Sequence, residues 1–134
     1  MDPNPGCYVD TSALIAFLDR GDRYHATCLR LFSSPPPLVT SALVVAEGHG
    51  WFLRRVHVQR AMEFLSFVRS LKPLAILPFG RDQIESVRPL LTKFEDQGVT
   101  MADVHGLFIM QGRRIKVCWS TDRHLGLTGA NLAM

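Results

Sequence analysis

Short apolar runs alternate along the chain with longer segments in which apolar residues recur every three or four positions. The short runs are typical of buried strands, and the longer segments are typical of helices that bury one face. Strands are predicted at residues 6–9, 38–40, 74–79 and 116–120, with a candidate fifth strand at 131–134. Helices are predicted at residues 13–18, from Asp22 to the prolines at 35–37, at 41–55, at 58–70, from Asp82 to Phe94, and at 101–113.

This alternation is typical of the α/β class, in which a parallel sheet is covered by helices on both faces. The helix opened by Asp82 is expected to place its apolar residues on one face, namely Ile84, Val87, Leu91 and Phe94. Pro89 is expected to kink or interrupt this helix, because proline lacks the N–H that a helix interior needs. A chain of 134 residues without internal repeats or linkers is expected to form one domain over residues 1–134 and to bury roughly two thirds of its unfolded surface.

The composition excludes several classes of protein. With 47% hydrophobic and 20% charged residues, the chain has neither the composition of a disordered protein nor an apolar run near the roughly 20 residues that span a bilayer. Its start, MDPNPG, lacks the basic end and the apolar stretch of a signal peptide, so we expect a cytoplasmic protein. Cys7, Cys28 and Cys118 lie far apart among apolar neighbours, and we expect them to be reduced core residues.

The charge balance permits a nucleic-acid partner without requiring one. The formal net charge is +3, and twelve of the fifteen basic residues are arginine. The guanidinium group offers a planar fork of donors that suits phosphate better than the point charge of lysine does. Many basic proteins bind no nucleic acid, so charge alone does not decide the function.

Two carboxylates directly follow predicted strands. Asp10 follows the first strand and Asp122 follows the fourth, and ligands of parallel α/β sheets bind outside the carboxyl ends of the strands. Asp10 could instead serve as a helix N-cap, although Thr11 and Ser12 could fill that position equally well. Asp122 could likewise belong to a local turn.

Two further carboxylates occupy unusual positions within predicted helices. Glu47 follows Val44 by three residues and precedes Trp51 by four, which places it on the apolar stripe of its helix. A buried carboxylate needs a partner, so the alternative to a functional role is a buried salt bridge to Arg54 or another arginine. Asp103 lies three residues after Thr100, in a spacing that resembles a helix capping box.

Four segments carry these acids: YVDTSALIAFLD, SALVVAE, TMADVHGLFIM and STDRHLGLTGANL. They resemble, in order and spacing, the four acidic motifs of the PIN domain, and most closely those of the VapC toxins of toxin–antitoxin pairs. The resemblance runs from about Cys7 to Leu132. It implies a three-layer α/β/α sandwich with a central parallel sheet of four or five strands. The chain departs from the family pattern at Leu125, where an aromatic residue is frequent, and at His105, where a small residue is common; both departures are expected to affect substrate fit.

The acidic quartet of the family maps onto Asp10, Glu47, Asp103 and Asp122, which are therefore the candidate catalytic residues and metal ligands. Clustered carboxylates repel one another, and an all-oxygen ligand set suits Mg²⁺ or Mn²⁺. Asp10 and Asp103 are predicted to be the principal ligands, with Glu47 and Asp122 completing the cluster directly or through water. The remaining predicted site residues are Thr11, Ser12 and Thr121, which would orient the carboxylates by hydrogen bonds, and Arg123, which would contact the substrate.

The activity implied by the resemblance is metal-dependent endoribonuclease activity, with RNA as substrate. The resemblance also implies a small antitoxin that covers the site, and a homodimer. Large apolar side chains beyond the needs of a small core would support such partners: Trp51, Phe52, Phe64 and Phe67. Two alternatives stay open: a metal-free ribonuclease that uses histidine as acid and base, and a non-catalytic RNA-binding or scaffold module on the same fold.

Overall fold

The structure, a computed structural model, describes residues 5–134 of the chain. Residues 1–4, which contain Asp2 and most of the start segment used in the signal-peptide argument, lie outside the described part. Five strands form one sheet in which every pairing is parallel. In chain order they are β1 (Cys7–Val9), β2 (Leu38–Ser41), β3 (Leu74–Leu77), β4 (Val117–Trp119) and β5 (Asn131–Leu132). The predicted α/β class and the fifth strand are confirmed.

Six α-helices connect and cover the strands within the described residues. They are α1 (Thr11–Leu18), α2 (His25–Leu31), α3 (Ala42–Arg55), α4 (Val58–Ser70), α5 (Arg81–Lys93) and α6 (Met101–Arg113). Two 3₁₀ turns, Glu95–Gln97 and Arg123–Gly126, follow α5 and β4. The arrangement is the three-layer α/β/α sandwich that the motifs implied. No helix among residues 5–134 is both long enough and apolar enough to cross a bilayer.

Two helices differ from their predictions for local reasons. Helix α2 begins at His25 rather than Asp22, because the Asp22 carboxylate accepts a hydrogen bond from the Tyr24 N–H at 2.8 Å and forms a turn before the helix. Helix α5 continues through Pro89 without interruption. The proline is exposed, so its ring faces away from the core. The buried face of α5 is formed by Val87 and Leu90, while Ile84 is 42% exposed.

The order of the strands in the sheet is β3-β2-β1-β4-β5. The chain therefore builds outwards from β1 on one side and then crosses over to form β4 and β5 on the other. The carboxyl ends of β1 and β4 lie side by side at this crossover, and the Asp10 N–H donates to the Trp119 carbonyl at 3.1 Å. Parallel α/β sheets place their ligand sites at such a switch point.

The core lies around the central strands and between α3 and α4. A Cβ atom at Gly48 would overlap the ring of Phe64, so this glycine allows the two helices to approach closely. Phe52 and Phe64 are fully buried, and Trp51 and Phe67 pack against the core. The expectation that these aromatic residues form surplus apolar surface for partners is therefore wrong for Phe52 and Phe64, and it stays a prediction for Trp51 and Phe67, which are only partly buried.

Candidate active site

Asp10 stands at the N-cap position of α1, yet its side chain caps nothing. Its backbone is extended and the structure records no side-chain cap hydrogen bond. The carboxylate instead accepts a hydrogen bond from the Ser120 hydroxyl, at 2.7 Å to Oδ2, which joins the ends of β1 and β4. Ser12 Oγ lies 3.4 Å from the same oxygen. The structure therefore does not support the capping explanation for Asp10.

The surroundings of Asp10 disfavour its negative charge. The residue is only 8% exposed, and burial raises its pKa from 3.8 to about 6. The hydrogen bond from Ser120 acts in the opposite direction, while the neighbouring charges of Asp122 and Glu47 raise the pKa further. A buried carboxylate among like charges is a costly arrangement, and such arrangements cluster at functional sites.

Glu47 lies at the margin of the cleft rather than on the buried face of α3. That face is formed by Val44, Gly48 and Phe52, whereas Glu47 is exposed, so its predicted place on the apolar stripe is wrong. The Thr11 hydroxyl donates to Glu47 Oε1 at 2.8 Å. Partial desolvation of the carboxylate raises its pKa, and the charges of Asp103 and Asp122 raise it further.

Asp103 serves both as a helix cap and as a wall of the cleft. The Thr100 N–H donates to Asp103 Oδ2 at 3.0 Å, and the Asp103 N–H donates to Thr100 Oγ1 at 3.1 Å, which is a complete capping box. Asp103 is nonetheless 9% exposed at the start of α6 and lines the same cleft as the other three acids. The two explanations offered for this residue are compatible.

Asp122 also combines a local role with a place in the cleft. Its Oδ1 accepts from the His124 N–H at 2.9 Å at the start of the 3₁₀ turn, and its own N–H donates to Ser120 Oγ at 2.9 Å. Asp103, Asp122 and His124 each offer a ligand atom, and these three atoms lie within 4.8 Å of one another.

The hydrogen-bond partners of the acids differ in part from those predicted. Thr11 contacts Glu47 as expected, and Ser12 lies near Asp10. Thr121 is exposed, and within residues 5–134 its hydroxyl makes no recorded hydrogen bond to a carboxylate, so its orienting role stays a prediction. Ser120 fills that role, because it is the buried hydroxyl that directly follows β4.

Sequence reasoning did not assign Ser120 or His124 to the site. The available signal for Ser120 was a hydroxyl at the end of a strand, two residues before Asp122. The signal for His124 was its position within the Thr-Asp-Arg-His motif. In the structure, His124 lines the cleft, and its Nδ1 lies 3.2 Å from Asp103 Oδ2.

Arg123 and the two departures from the family pattern lie outside the cleft lining. Arg123 is exposed, and its Nη1 lies 3.5 Å from Gln97 Oε1, next to Gly98 at the cleft margin. Leu125 is fully buried. His105 is 2% exposed, with Nδ1 2.6 Å from Ser41 Oγ and its ring against Phe79. Neither side chain reaches the cleft surface, so neither would contact a substrate bound in the cleft.

The cleft has a volume of about 380 Å³ and contains all four predicted carboxylates. Its lining residues are Asp10, Thr11, Ser12, Ile15, Glu47, Gly98, Thr100, Asp103, Asp122 and His124. Within residues 5–134, none of the four acids forms an ion pair with arginine or lysine, so the proposed salt bridge of Glu47 to Arg54 is absent. Oxygen ligands without a cationic side chain fit a hard divalent cation such as Mg²⁺ or Mn²⁺.

Comparison with known proteins assigns the family. The profile of the PIN domain matches residues 7–129. The chain belongs to the PIN domain family. Ribonuclease VapC26 of Mycobacterium tuberculosis is 31% identical to this PIN domain over 118 residues, covering 86% of this chain and 85% of the relative. The resemblance to VapC proteins is thereby confirmed.

Two solved structures share the fold. VapC20 of Mycobacterium tuberculosis, described as a sarcin-ricin-loop-cleaving toxin, superposes with a TM-score of 0.84 at 23% identity, covering 95% of this PIN domain and 98% of that chain. PAE2754 of Pyrobaculum aerophilum superposes with a TM-score of 0.61 at 19% identity, covering 97% of this chain and 91% of that chain. At these identities the superpositions support the fold alone.

Proposed function

We propose that this chain, acting as a single PIN domain over residues 1–134, is an endoribonuclease that requires Mg²⁺ or Mn²⁺. The observation that carries the proposal is the meeting of Asp10, Glu47, Asp103 and Asp122 in one cleft at the switch point of the sheet, where no arginine or lysine of residues 5–134 pairs with them. Carboxylates of this kind hold divalent cations in enzymes that act on phosphodiesters. The relation to Ribonuclease VapC26 supports RNA as the substrate.

The four acids hold the cation, with Asp10 and Asp103 as principal ligands and Glu47 and Asp122 completing the site. The chemistry that a divalent cation would supply there is polarisation of the phosphodiester and a lowered pKa of the attacking water. Burial and like-charge repulsion raise the pKa of Asp10 to about 6, and a cation relieves both costs. The hydrogen bonds that Ser120 and Thr11 donate fix the orientations of Asp10 and Glu47.

Arg123 supplies a contact to the RNA backbone at the margin of the cleft. It is exposed and lies next in sequence to a carboxylate of the site. The chain has fifteen basic and twelve acidic residues. If a divalent cation neutralises the four acids of the cleft, eight acidic residues remain to balance the fifteen basic ones. The exterior is then more basic than the net charge indicates, which suits a polyanionic substrate.

We place the protein as the toxin of a VapBC-type pair, with a small antitoxin that covers the cleft, a homodimeric assembly and a cytoplasmic location. Similarity to the VapC ribonuclease supports this assignment. The thiols of Cys7, Cys28 and Cys118 are free in the structure, which agrees with a reducing compartment.

The test is cleavage of RNA by the purified protein with Mg²⁺, with Mn²⁺ and with EDTA. Asp103→Asn removes a carboxylate charge while keeping the side-chain volume, and we expect it to abolish cleavage. Asp96→Asn is the matched control, because Asp96 is an exposed carboxylate in the 3₁₀ turn after α5, and it should cleave like the parent. Parental cleavage by Asp103→Asn would refute the site assignment. RNA binding by the parent without any cleavage would favour the non-catalytic RNA-binding module.

A further inference from the structure

His124 connects two of the four carboxylates through its ring and its backbone. Its Nδ1 lies 3.2 Å from Asp103 Oδ2 and 3.5 Å from Asp122 Oδ1. Its backbone N–H donates to Asp122 Oδ1 at 2.9 Å. The histidine thus joins the start of α6 to the 3₁₀ turn after β4, and these segments meet at the cleft.

The chemistry of the contact assigns the proton to Nδ1. An ionised carboxylate can only accept hydrogen bonds, so the imidazole nitrogen facing it must donate. The side chains of His124 and Asp103 are 18% and 11% exposed. Water therefore competes weakly for this hydrogen bond, whose acceptor is charged.

The hydrogen bonds to Asp103 are unequally divided between its two oxygens. Oδ2 accepts from the Thr100 N–H at 3.0 Å and faces His124 Nδ1 at 3.2 Å. Among residues 5–134, the structure records no hydrogen bond to Asp103 Oδ1. One oxygen is thus occupied by two donors, and the other is left for a cation.

We propose that His124 is a positioning residue for Asp103: by holding Oδ2, it fixes the carboxylate in the orientation in which Oδ1 can bind the divalent cation. This inference rests on the proposed function. Partners that hydrogen-bond to ligating side chains fix ligand geometry in metal sites, and their loss typically weakens metal affinity or activity by about 10- to 100-fold.

Direct ligation of the cation by His124 is the competing role, since its ligand atom lies within 4.8 Å of those of Asp103 and Asp122. The contact of Nδ1 with Asp103 Oδ2 at 3.2 Å favours positioning, because a ring nitrogen that donates this hydrogen bond carries a proton and has no lone pair for the cation. Mg²⁺ also prefers oxygen ligands to imidazole. The two roles make different predictions for a substitution that keeps a donor in place of Nδ1.

The experiment compares His124→Ala with His124→Asn in the full chain. The asparagine amide places an N–H donor close to the position of Nδ1, whereas alanine removes the donor. Binding of Mn²⁺ to the RNA-free protein is measured by electron paramagnetic resonance of the unbound ion. The Mg²⁺ concentration needed for half-maximal RNA cleavage is measured in parallel with kcat at saturating Mg²⁺. His57→Ala is the control, because His57 caps α4 with its side chain, and its loss lowers stability without touching the cleft.

We expect His124→Ala to weaken Mn²⁺ binding by about 10- to 100-fold, to raise the Mg²⁺ requirement similarly, and to change kcat at saturating Mg²⁺ little. His124→Asn should restore most of the affinity, and His57→Ala should bind like the parent. Parental affinity in His124→Ala would overturn the inference. So would an asparagine variant as weak as alanine, because direct ligation by the imidazole predicts that result.

Substitution of Asp103 separates failure of this inference from failure of the proposed function. If Asp103→Asn loses Mn²⁺ binding while His124→Ala retains it, only the role of His124 is refuted. If Asp103→Asn binds Mn²⁺ like the parent, or the parent binds none, the metal site itself is refuted and the inference is refuted with it.

Discussion

Replacement of Asp10 by asparagine should stabilise the metal-free protein although it disables the site. Burial, with a further contribution from Asp122 and Glu47, raises the pKa of Asp10 from 3.8 to about 6. At pH 7.5 the carboxylate is ionised in both the folded and the unfolded chain, but the folded protein holds that charge in an unfavourable place. The asparagine side chain would keep the volume and an acceptor for the Ser120 hydroxyl without the charge.

The sign and size of the effect follow from linkage. Because the folded protein binds this proton more tightly than the unfolded chain does, the contribution of Asp10 to stability is fully present below about pH 3.8 and is lost as the pH rises through about 6. The difference of about two pKa units corresponds to about 3 kcal/mol at about 1.4 kcal/mol per unit. We therefore expect Asp10→Asn to gain about 2 to 3 kcal/mol at pH 7.5, or roughly 6 to 10 °C in Tm.

The assay is thermal and urea unfolding in EDTA at pH 7.5 and at pH 4, for the parent, Asp10→Asn and the exposed control Asp96→Asn. The advantage of Asp10→Asn should be largest at pH 7.5 and nearly vanish at pH 4, while the control should stay within about 0.5 kcal/mol of the parent. Added Mg²⁺ should then stabilise the parent and the control, but not Asp10→Asn. A parent as stable as Asp10→Asn at pH 7.5, or a difference that does not shrink at pH 4, would refute this reasoning.

Three further experiments test separate parts of the structure. Asp122→Asn should lower cleavage by orders of magnitude or greatly raise the Mg²⁺ requirement while changing stability little, since asparagine can still cap the turn; a Mg²⁺ titration matching that of the parent would assign the carboxylate to the turn alone. Arg123→Ala should weaken RNA binding and flatten its salt dependence with metal affinity nearly unchanged, and an unaltered salt slope in filter binding would exclude the phosphate contact. Gly48→Ala should lower the free energy of unfolding in urea by about 1 to 3 kcal/mol, because the added Cβ overlaps Phe64. Gly112→Ala should raise it by up to about 1 kcal/mol, because no atom lies within 4 Å of the added Cβ. Equal stability of the two variants would contradict the packing of α3 on α4.

The sheet and most helix bounds were predictable because hydrophobic spacing reflects burial directly. The bounds of α4 and α6 agree with the predicted 58–70 and 101–113. The start of α2 was not predictable from spacing, because Asp22 accepts a backbone hydrogen bond within a turn instead of opening the helix. The continuity of α5 through Pro89 was not predictable, because spacing does not show whether a helix tolerates the missing N–H of a proline.

The contents of the cleft were less predictable than its location. Carboxylates at the ends of β1 and β4 indicate the switch point, since chain order and parallel pairing place those ends together. Hydrogen-bond partners depend instead on the rotation of single residues after a strand, and this rotation directs Ser120 rather than Thr121 towards Asp10. Glu47 is exposed because a neighbouring face of α3 packs on α4. That face contains Gly48, whose missing side chain leaves room for the ring of Phe64.

The chemistry of the RNA ends distinguishes cation-dependent hydrolysis from cleavage by histidine. The parent is incubated with RNA in Mg²⁺ or in EDTA, and the termini of the products are identified. A cation-dependent hydrolysis in which water attacks the phosphodiester predicts 5′-phosphate and 3′-hydroxyl ends in Mg²⁺ and no cleavage in EDTA. Cleavage that persists in EDTA and leaves a 2′,3′-cyclic phosphate would contradict the account. Such a result would direct attention to His124, the histidine that lines the cleft, because His105 is buried away from the cleft surface.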